Sequence, residues 1–144
     1  MVIIAAVDRT DRARKVVREA LEITRTFNDS VHVVHVLSQS EFVELEQTEY
    51  KKSGRPVNLD RVRNHAAKLA KKAAGGVDDH DVEYAGLVGD AADTILEYVA
   101  EQNTRYIVGS PRKKPPTGKV LFGRVSQKRL LNADYPVMVT ISDS

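Results

Sequence analysis

The sequence predicts an α/β fold: a single doubly wound domain with a five-stranded, mainly parallel sheet and helices on both faces. Short runs rich in β-branched residues alternate five times with segments of helical period, a pattern typical of parallel strands joined by crossover helices. The run VIIAAV at residues 2–7 is apolar throughout, as expected of a strand that is covered on both faces. The 144 residues suit one domain of ordinary size, to which we assign residues 1–144.

The first helix and the second strand follow from the same pattern. Asp11 stands where a helix N-cap is expected, and the helix should end near Asn28. Its apolar positions have the spacing of one helical face: Ala13, Val16, Val17, Ala20, Leu21 and Thr24. SVHVVHVL, residues 30–37, is the second strand. Its histidines, His32 and His35, are three residues apart and face opposite sides of a strand, so we do not expect them to share a metal ion.

The middle of the chain combines a polar excursion with a second clear helix. Residues 38–58 lack a sustained apolar period and contain Gly54 and Pro56, so we expect an irregular segment with at most one short helical piece. The following segment places apolar side chains on one helical face: Val62, Ala66, Leu69, Ala70 and Ala73. Gly75 and Gly76 should end this helix.

The second half of the chain repeats the alternation. Residues 82–88 form a strand, and Asp90 caps the next helix. The buried face of that helix is expected to carry Ala92, Ile95, Leu96, Val99 and Ala100. Residues 106–108 form the fourth strand, and a helix that begins near Gly123 leads to the last strand, residues 136–141.

Composition excludes several classes of protein. The 22 basic and 20 acidic residues leave a net charge of +2, too little for a global attraction to nucleic acid, and the basic run PRKKPP has no aromatic residue for base stacking. There is no cysteine for thiol chemistry, and no apolar run approaches the roughly 20 residues of a membrane helix. The N-terminus has no basic region typical of a signal peptide. We therefore expect a cytoplasmic protein without a membrane partner, and the composition disfavours nucleic acid as a partner, above all sequence-specific recognition.

The strand ends carry the candidate ligand site and a family resemblance. Ligands of doubly wound sheets bind outside the carboxyl ends of the strands, near the point where the strand order reverses. Asp8, Val36 and Gly109 lie at such ends. The segments AAVDRT, VVHVL, GDAADTILEYVAE, YIVGS and GRVSQKRLLNADYPVMV together span nearly the whole chain. In their order and spacing, the sequence resembles the universal stress protein family of the UspA type.

The resemblance implies a five-stranded parallel sheet, usually in a homodimer. It also implies, for one branch of the family, an ATP site without a strong catalytic apparatus, whereas another branch does not bind ATP. In the binding branch the acidic residue after the first strand contacts the adenine end. The loop after the fourth strand holds ribose and phosphates through glycines and a pair of small hydroxyls. The matching positions are Asp8, Val36, Gly109, Gly123 and Ser126.

The phosphate loop departs from the family pattern, which resembles Gly-x2-Gly-x9-Gly followed by Ser or Thr. Arg112 stands where the second glycine belongs, ten residues rather than nine separate it from Gly123, and Arg124 replaces the first hydroxyl. A side chain in place of glycine obstructs the approach of backbone N–H groups to phosphate. Arginine instead binds phosphate by charge and forked hydrogen bonds, and the N–H groups of Val125 and Ser126 at the expected helix N-terminus favour an anion. An anion site and a solvated basic loop both remain open.

Two functions are compatible with these features. The first is a stress-response or regulatory protein that binds ATP or another adenine nucleotide weakly at the carboxyl ends of the strands. The alternative is a nucleotide-free dimeric interaction module whose basic loop, residues 110–124, contacts an acidic partner or nucleic acid. Slow nucleotide hydrolysis ranks last, because the chain has no Walker sequence, paired carboxylates or nucleophile–base pair. We assign no catalytic residue and no metal ligand.

The last strand is the expected dimer contact. Val137, Val139 and Ile141 alternate with Met138 and Thr140 at the end of the chain, where a strand can form an open sheet edge. An unpaired edge favours pairing with a second copy, so we predict a twofold homodimer joined through residues 137–141.

Overall fold

A computed structural model describes residues 1–8, 12–56, 58–76, 81–109, 112–114, 119–121 and 135–139. Of these, residues 91, 92, 112–114, 119–121 and 139 are described in their backbone only. The elements in chain order are β1 (Val2–Ala6), α1 (Arg12–Phe27), β2 (Ser30–Leu37), α2 (Gln39–Ser53), α3 (Leu59–Ala73), β3 (Val82–Val88), α4 (Ala91–Glu101), β4 (Thr104–Gly109), β5 (Arg112–Lys114), β6 (Lys119–Leu121) and β7 (Val137–Val139).

The main sheet has five parallel strands in the order β3-β2-β1-β4-β7. β1 is the central strand, with Ile4 opposite His32 of β2 and Ala5 opposite Val108 of β4. The predicted doubly wound α/β fold with a five-stranded parallel sheet is confirmed. β7 forms one edge of the sheet, as the sequence predicts for the last strand, and β3 forms the other.

Alternate residues of the strands pack against helices on opposite faces. On one face, Ile3 and Ala5 of β1 belong to a buried cluster with Val16 and Val17 of α1 and with Ala70 of α3. The opposite face has its own cluster, which joins the following side chains of β1, β2, β4 and α4: Ile4, Val34, Ile107, Ile95 and Val99. Because β1 is buried on both faces, its uninterrupted apolar run is explained.

α3 lies unusually close to the edge strand β3. A Cβ atom added to Gly86 would lie 2.1 Å from the carbonyl oxygen of Arg63 and 2.5 Å from both the Cβ of Ala66 and the backbone nitrogen of Ala67. Gly86 therefore permits the contact that places α3 over β2 and β3.

The excursion at residues 38–58 differs from the prediction, because α2 is a helix of 15 residues. Its ends carry local signals: the side chain of Ser38 accepts a hydrogen bond from the Glu41 amide at 3.2 Å, and Gly54 adopts a left-handed φ of 68°. None of its residues is buried; Phe42 and Leu45 pack partly against a small cluster around Leu37. The missing apolar period thus reflects an exposed helix, stabilised by its caps rather than by core packing.

Two further differences concern the second half of the chain. Ala100 was expected on the buried face of α4 but is exposed. The side of α4 that packs against the sheet is the one that carries Ile95 and Val99. The segment expected as a basic loop contains a two-stranded antiparallel pair, in which Arg112 of β5 is opposite Leu121 of β6. The helix expected from Gly123 lies outside the described residues. No helix in the described ranges is long and apolar enough to span a membrane.

Candidate functional site

The candidate site lies at the carboxyl ends of β2, β1 and β4. From β1 the chain proceeds to β2 and β3 on one side and then crosses to β4 on the other side of β1. The strand order therefore reverses between β1 and β4, where doubly wound sheets form a crevice for ligands. Asp8 follows β1 by two residues, Val36 is next to last in β2, and Gly109 ends β4. The topology brings these three predicted residues to one edge of the sheet.

Asp8 forms an ion pair with the first turn of the helix that follows it. Its Oδ2 lies 3.4 Å from Nη2 of Arg12, and the two side chains are 17% and 24% exposed. A partly exposed pair at this distance contributes little to stability. The pair places the carboxylate beside the first residue of α1. The sequence reasoning missed Arg12, although its spacing of four residues from Asp8 was the available signal.

The second strand contributes two neighbouring residues with different surroundings. Val36 is half-buried and packs with the cluster beneath α4. His35 faces the other side of the sheet, and its Nδ1 lies 3.0 Å from the carbonyl oxygen of Val7. Nε2 of His35 is buried and has no hydrogen-bond partner within the described part of the chain. The sequence reasoning weighed His35 only as a metal ligand and missed its contact with the end of β1.

The phosphate-loop residues are described only in part. Gly109 is buried and opposes Val139 of β7 in the parallel ladder. Arg112 begins β5, three residues further along the chain. The remaining predicted binding residues lie outside the described residues: Gly123, Arg124, Val125 and Ser126. The geometry therefore supports the position of the crevice and leaves the phosphate contacts as predictions.

A second polar cluster, formed by His32, Glu83 and Tyr98, lies on the α4 face of the sheet. Nε2 of His32 lies 3.1 Å from a Glu83 carboxylate oxygen, and Nδ1 lies 2.7 Å from the Tyr98 hydroxyl. Since a carboxylate only accepts, Nε2 of the neutral ring donates to Glu83, and the Tyr98 hydroxyl donates to Nδ1. Burial lowers the pKa of His32, against the effect of the Glu83 charge, and burial together with Glu83 raises the pKa of Tyr98.

The raised pKa of Tyr98 keeps its phenol protonated, so Tyr98 is not an activated nucleophile.

His32 is the third residue of β2, well before the carboxyl end of that strand. His32 and His35 have partners on opposite faces of the sheet, as their spacing predicts. Among the described residues, no group of three or more acidic or histidine side chains could hold a metal ion.

Comparison with known proteins identifies the family. The model of the universal stress protein family matches residues 1–140. A universal stress protein from Archaeoglobus fulgidus is 31% identical, with 96% of this chain and 97% of that chain covered and a TM-score of 0.63. An Archaeoglobus fulgidus universal stress protein in complex with dAMP is 26% identical over 96% of both chains, with a TM-score of 0.57.

A more distant structure is similar in fold. A universal stress protein family protein from Arabidopsis thaliana with AMP bound is 19% identical, with 100% of this chain and 93% of that chain covered and a TM-score of 0.50. No curated protein sequence matches the chain significantly. The family match covers all the described elements, and the sheet has the strand number and direction that the resemblance implies. The chain belongs to the universal stress protein family.

Proposed function

We propose that this protein is a regulatory, stress-response member of its family, acts in the cytoplasm as a homodimer of single-domain chains, and binds ATP or another adenine nucleotide weakly. The observation that carries the proposal is the position of Asp8 and Gly109. Asp8 follows β1 and Gly109 ends β4, the two strands between which the strand order reverses, so a carboxylate and a residue without a side chain flank the expected crevice. The relatives with dAMP and AMP bound support an adenine nucleotide as the ligand class.

Each proposed contact follows from the chemistry of its residue. The Asp8 carboxylate accepts a hydrogen bond from the adenine or ribose end, next to the backbone of Val36. Gly109 lets the chain approach the ligand closely, because it carries no side chain. Arg112 and Arg124 supply charge to the phosphates.

The helix N-terminus expected after the phosphate loop completes the proposed anion contacts. Gly123 permits close approach, and the backbone N–H groups of Val125 and Ser126 donate to a phosphate oxygen. Since arginine charge replaces part of a glycine nest, binding should depend strongly on ionic strength. We expect dissociation constants in the micromolar to millimolar range, which correspond to binding free energies of about −8 to −4 kcal/mol.

The experiment is isothermal titration of AMP and ATP into the wild type, Asp8→Ala and Asp90→Ala at two salt concentrations. Asp90 is the matched control, a carboxylate that also follows a strand but caps α4, with its Oδ1 3.1 Å from the Asp93 amide. Asp8→Ala should weaken binding about tenfold or more with little change in the melting temperature of the ligand-free protein. Asp90→Ala should cost about 1 kcal/mol of stability and leave the affinity unchanged. Loss of stability without loss of affinity in Asp8→Ala would assign Asp8 a structural role.

A nucleotide-free interaction module is the second candidate, and the β5–β6 pair favours it. Arg112–Lys114 pairs with Lys119–Leu121, so four of the six paired residues are basic by sequence, a charge density suited to an acidic partner. The double substitution Arg112→Gly with Arg124→Ser separates the two functions. If these arginines bind phosphate, the double variant loses affinity. If the double variant creates or tightens nucleotide binding, the arginines block the pocket and the interaction module is the better description.

A further inference from the structure

His35 is a buried histidine with only one satisfied ring nitrogen among the described residues. It is 6% exposed, its Nδ1 lies 3.0 Å from the Val7 carbonyl oxygen, and its Nε2 is enclosed without a hydrogen-bond partner from the described ranges of the chain. Because a carbonyl only accepts, Nδ1 carries a proton and donates it to the Val7 carbonyl oxygen. An apolar side chain of similar size would fill the space without an orphaned ring nitrogen, but it would remove the donor that the Val7 carbonyl accepts from. Packing alone therefore does not account for a histidine at this position.

The hydrogen bond of His35 is made to the peptide group that leads into the candidate site. The N–H of Val7 donates to the carbonyl oxygen of Val34 at 2.9 Å, and the carbonyl of Val7 accepts from His35. β2 thus holds Val7 through both of its backbone polar groups. The Val7 carbonyl and the Asp8 N–H belong to one planar peptide unit. Fixing the carbonyl therefore fixes the plane of the Asp8 amide and the direction in which the chain leaves the sheet.

We infer that His35 is a positioning residue for the ligand site: its bond to the Val7 carbonyl orients Asp8 and thereby sets the affinity for the nucleotide. The inference rests on the proposed function, in which Asp8 contacts the ligand. His35 alternates with Val36 and is on the same face of β2 as Val31 and Val33, which pack with α1 and α3, so we assign it no ligand contact of its own. Preorganisation of this kind increases affinity because the ordering cost is already met in the free protein.

His32 provides a matched control on the same strand. It is 8% exposed and hydrogen-bonded through Nδ1, but its partners are Tyr98 of α4 and Glu83 of β3 on the other face of the sheet. Replacing His32 by leucine removes a comparably buried imidazole without touching the Val7–Asp8 peptide. A loss of affinity caused by general destabilisation would appear in both leucine variants. A positioning effect would appear only for His35.

The test compares the wild type, His35→Leu, His35→Asn and His32→Leu, each alone and combined with Asp8→Ala. The probes are AMP and ATP in isothermal titration, and the melting temperature of every variant is recorded. Asparagine keeps an N–H donor close to the position of Nδ1 and is the rescue variant. We expect His35→Leu to weaken binding about tenfold, and His35→Asn and His32→Leu to stay within about threefold of the wild type. In the Asp8→Ala background, His35→Leu should cause no further loss, because it acts through Asp8.

A second readout needs no ligand. The ¹⁵N order parameter of the Asp8 amide should fall from the rigid value of about 0.85 to below about 0.6 in His35→Leu, whereas that of Ala5 within β1 should not change. Unchanged affinity in His35→Leu, or the same loss with and without Asp8→Ala, would overturn the inference. If the wild type binds neither nucleotide, the proposed function fails. The order parameter of the Asp8 amide then still tests whether His35 positions Asp8. A rigid amide in His35→Leu refutes the positioning role, and a loosened one retains it.

Discussion

Substitution of Gly86 by alanine should disrupt the packing of α3 on the sheet. The added methyl group would lie 2.1 Å from the Arg63 carbonyl oxygen and 2.5 Å from the Cβ of Ala66. The first neighbour is a backbone atom of α3 and the second is a Cβ atom fixed to its backbone, so rotation of a flexible side chain cannot relieve the contact. The helix must move outward by about 1 Å or more to restore ordinary van der Waals separation. That movement loosens Val62 and Ala66, which are 4% and 0% exposed.

The expected cost of Gly86→Ala is about 1–3 kcal/mol, as for other overpacked core positions. For a domain of this length, the melting temperature should fall by about 3–12 °C. Urea unfolding at 25 °C measures the change in free energy, and circular dichroism measures the melting temperature. Gly54→Ala is the contrasting variant: Gly54 has a φ of 68° and no atom within 4 Å of an added Cβ. It should cost about 1 kcal/mol through backbone strain alone.

A third variant tests the geometric reasoning directly. Gly86→Ala combined with Ala66→Gly removes one of the close contacts but leaves the Arg63 carbonyl oxygen 2.1 Å from the new methyl group. The double variant should therefore not recover the stability of the wild type. A destabilisation below about 0.5 kcal/mol for Gly86→Ala, the range of neutral surface changes, would refute the close approach of α3 to β3.

Two further predictions concern an ion pair and the assembly. Burial raises the pKa of Asp29, but hydrogen bonds and charge from Arg105, 2.6 Å away, and from the Met1 ammonium outweigh it and hold the pKa below its ordinary 3.8. The pair therefore stabilises the fold above pH 3.8 and loses this contribution as the pH falls through the lowered pKa. In urea unfolding, the free energy of unfolding of Asp29→Asn should fall less steeply with acid than that of the wild type. Equal slopes would contradict this. In the proposed homodimer, Val139→Pro removes a backbone donor from the edge strand β7, and light scattering should detect monomers; an unchanged mass would reject pairing through residues 137–141.

The strands and the core helices were predictable because burial imposes a pattern on the sequence. β2 has the predicted bounds, and its residues Val31, Val33 and Val34 are at most 1% exposed. A run of β-branched residues at such positions is the direct consequence of cover on both faces. The same reasoning found α1, whose buried residues repeat at helical spacing.

α2 was predicted only as a short piece because an apolar period marks the buried face of a helix, and no residue of α2 is fully buried. Its local signals were nevertheless in the sequence. Ser38 with Glu41 has the spacing of a capping box, and Gly54 stands at the C-terminal end. Exposed helices are better predicted from caps and helix-forming composition than from apolar period.

The candidate site was predictable as a place but not as a set of contacts. Asp8 and Gly109 follow from the rule for doubly wound sheets, which needs only strand ends and their order. The His35–Val7 bond joins residues 28 positions apart, and no local pattern reports such a contact. The antiparallel pairing of Arg112–Lys114 likewise depends on how two short segments meet in space.

The most direct test of the proposed function is a ¹⁵N–¹H correlation spectrum of the wild-type protein titrated with AMP. The proposal predicts saturable shifts at the amides of Asp8, Val36 and Gly109. The dissociation constant should lie in the micromolar to millimolar range, which corresponds to a binding free energy of about −8 to −4 kcal/mol. The amide resonances of His32 and Tyr98, in the second polar cluster, should not shift. Saturable shifts confined to other surfaces, or no shift at millimolar AMP, would contradict nucleotide binding at the carboxyl edge of the sheet.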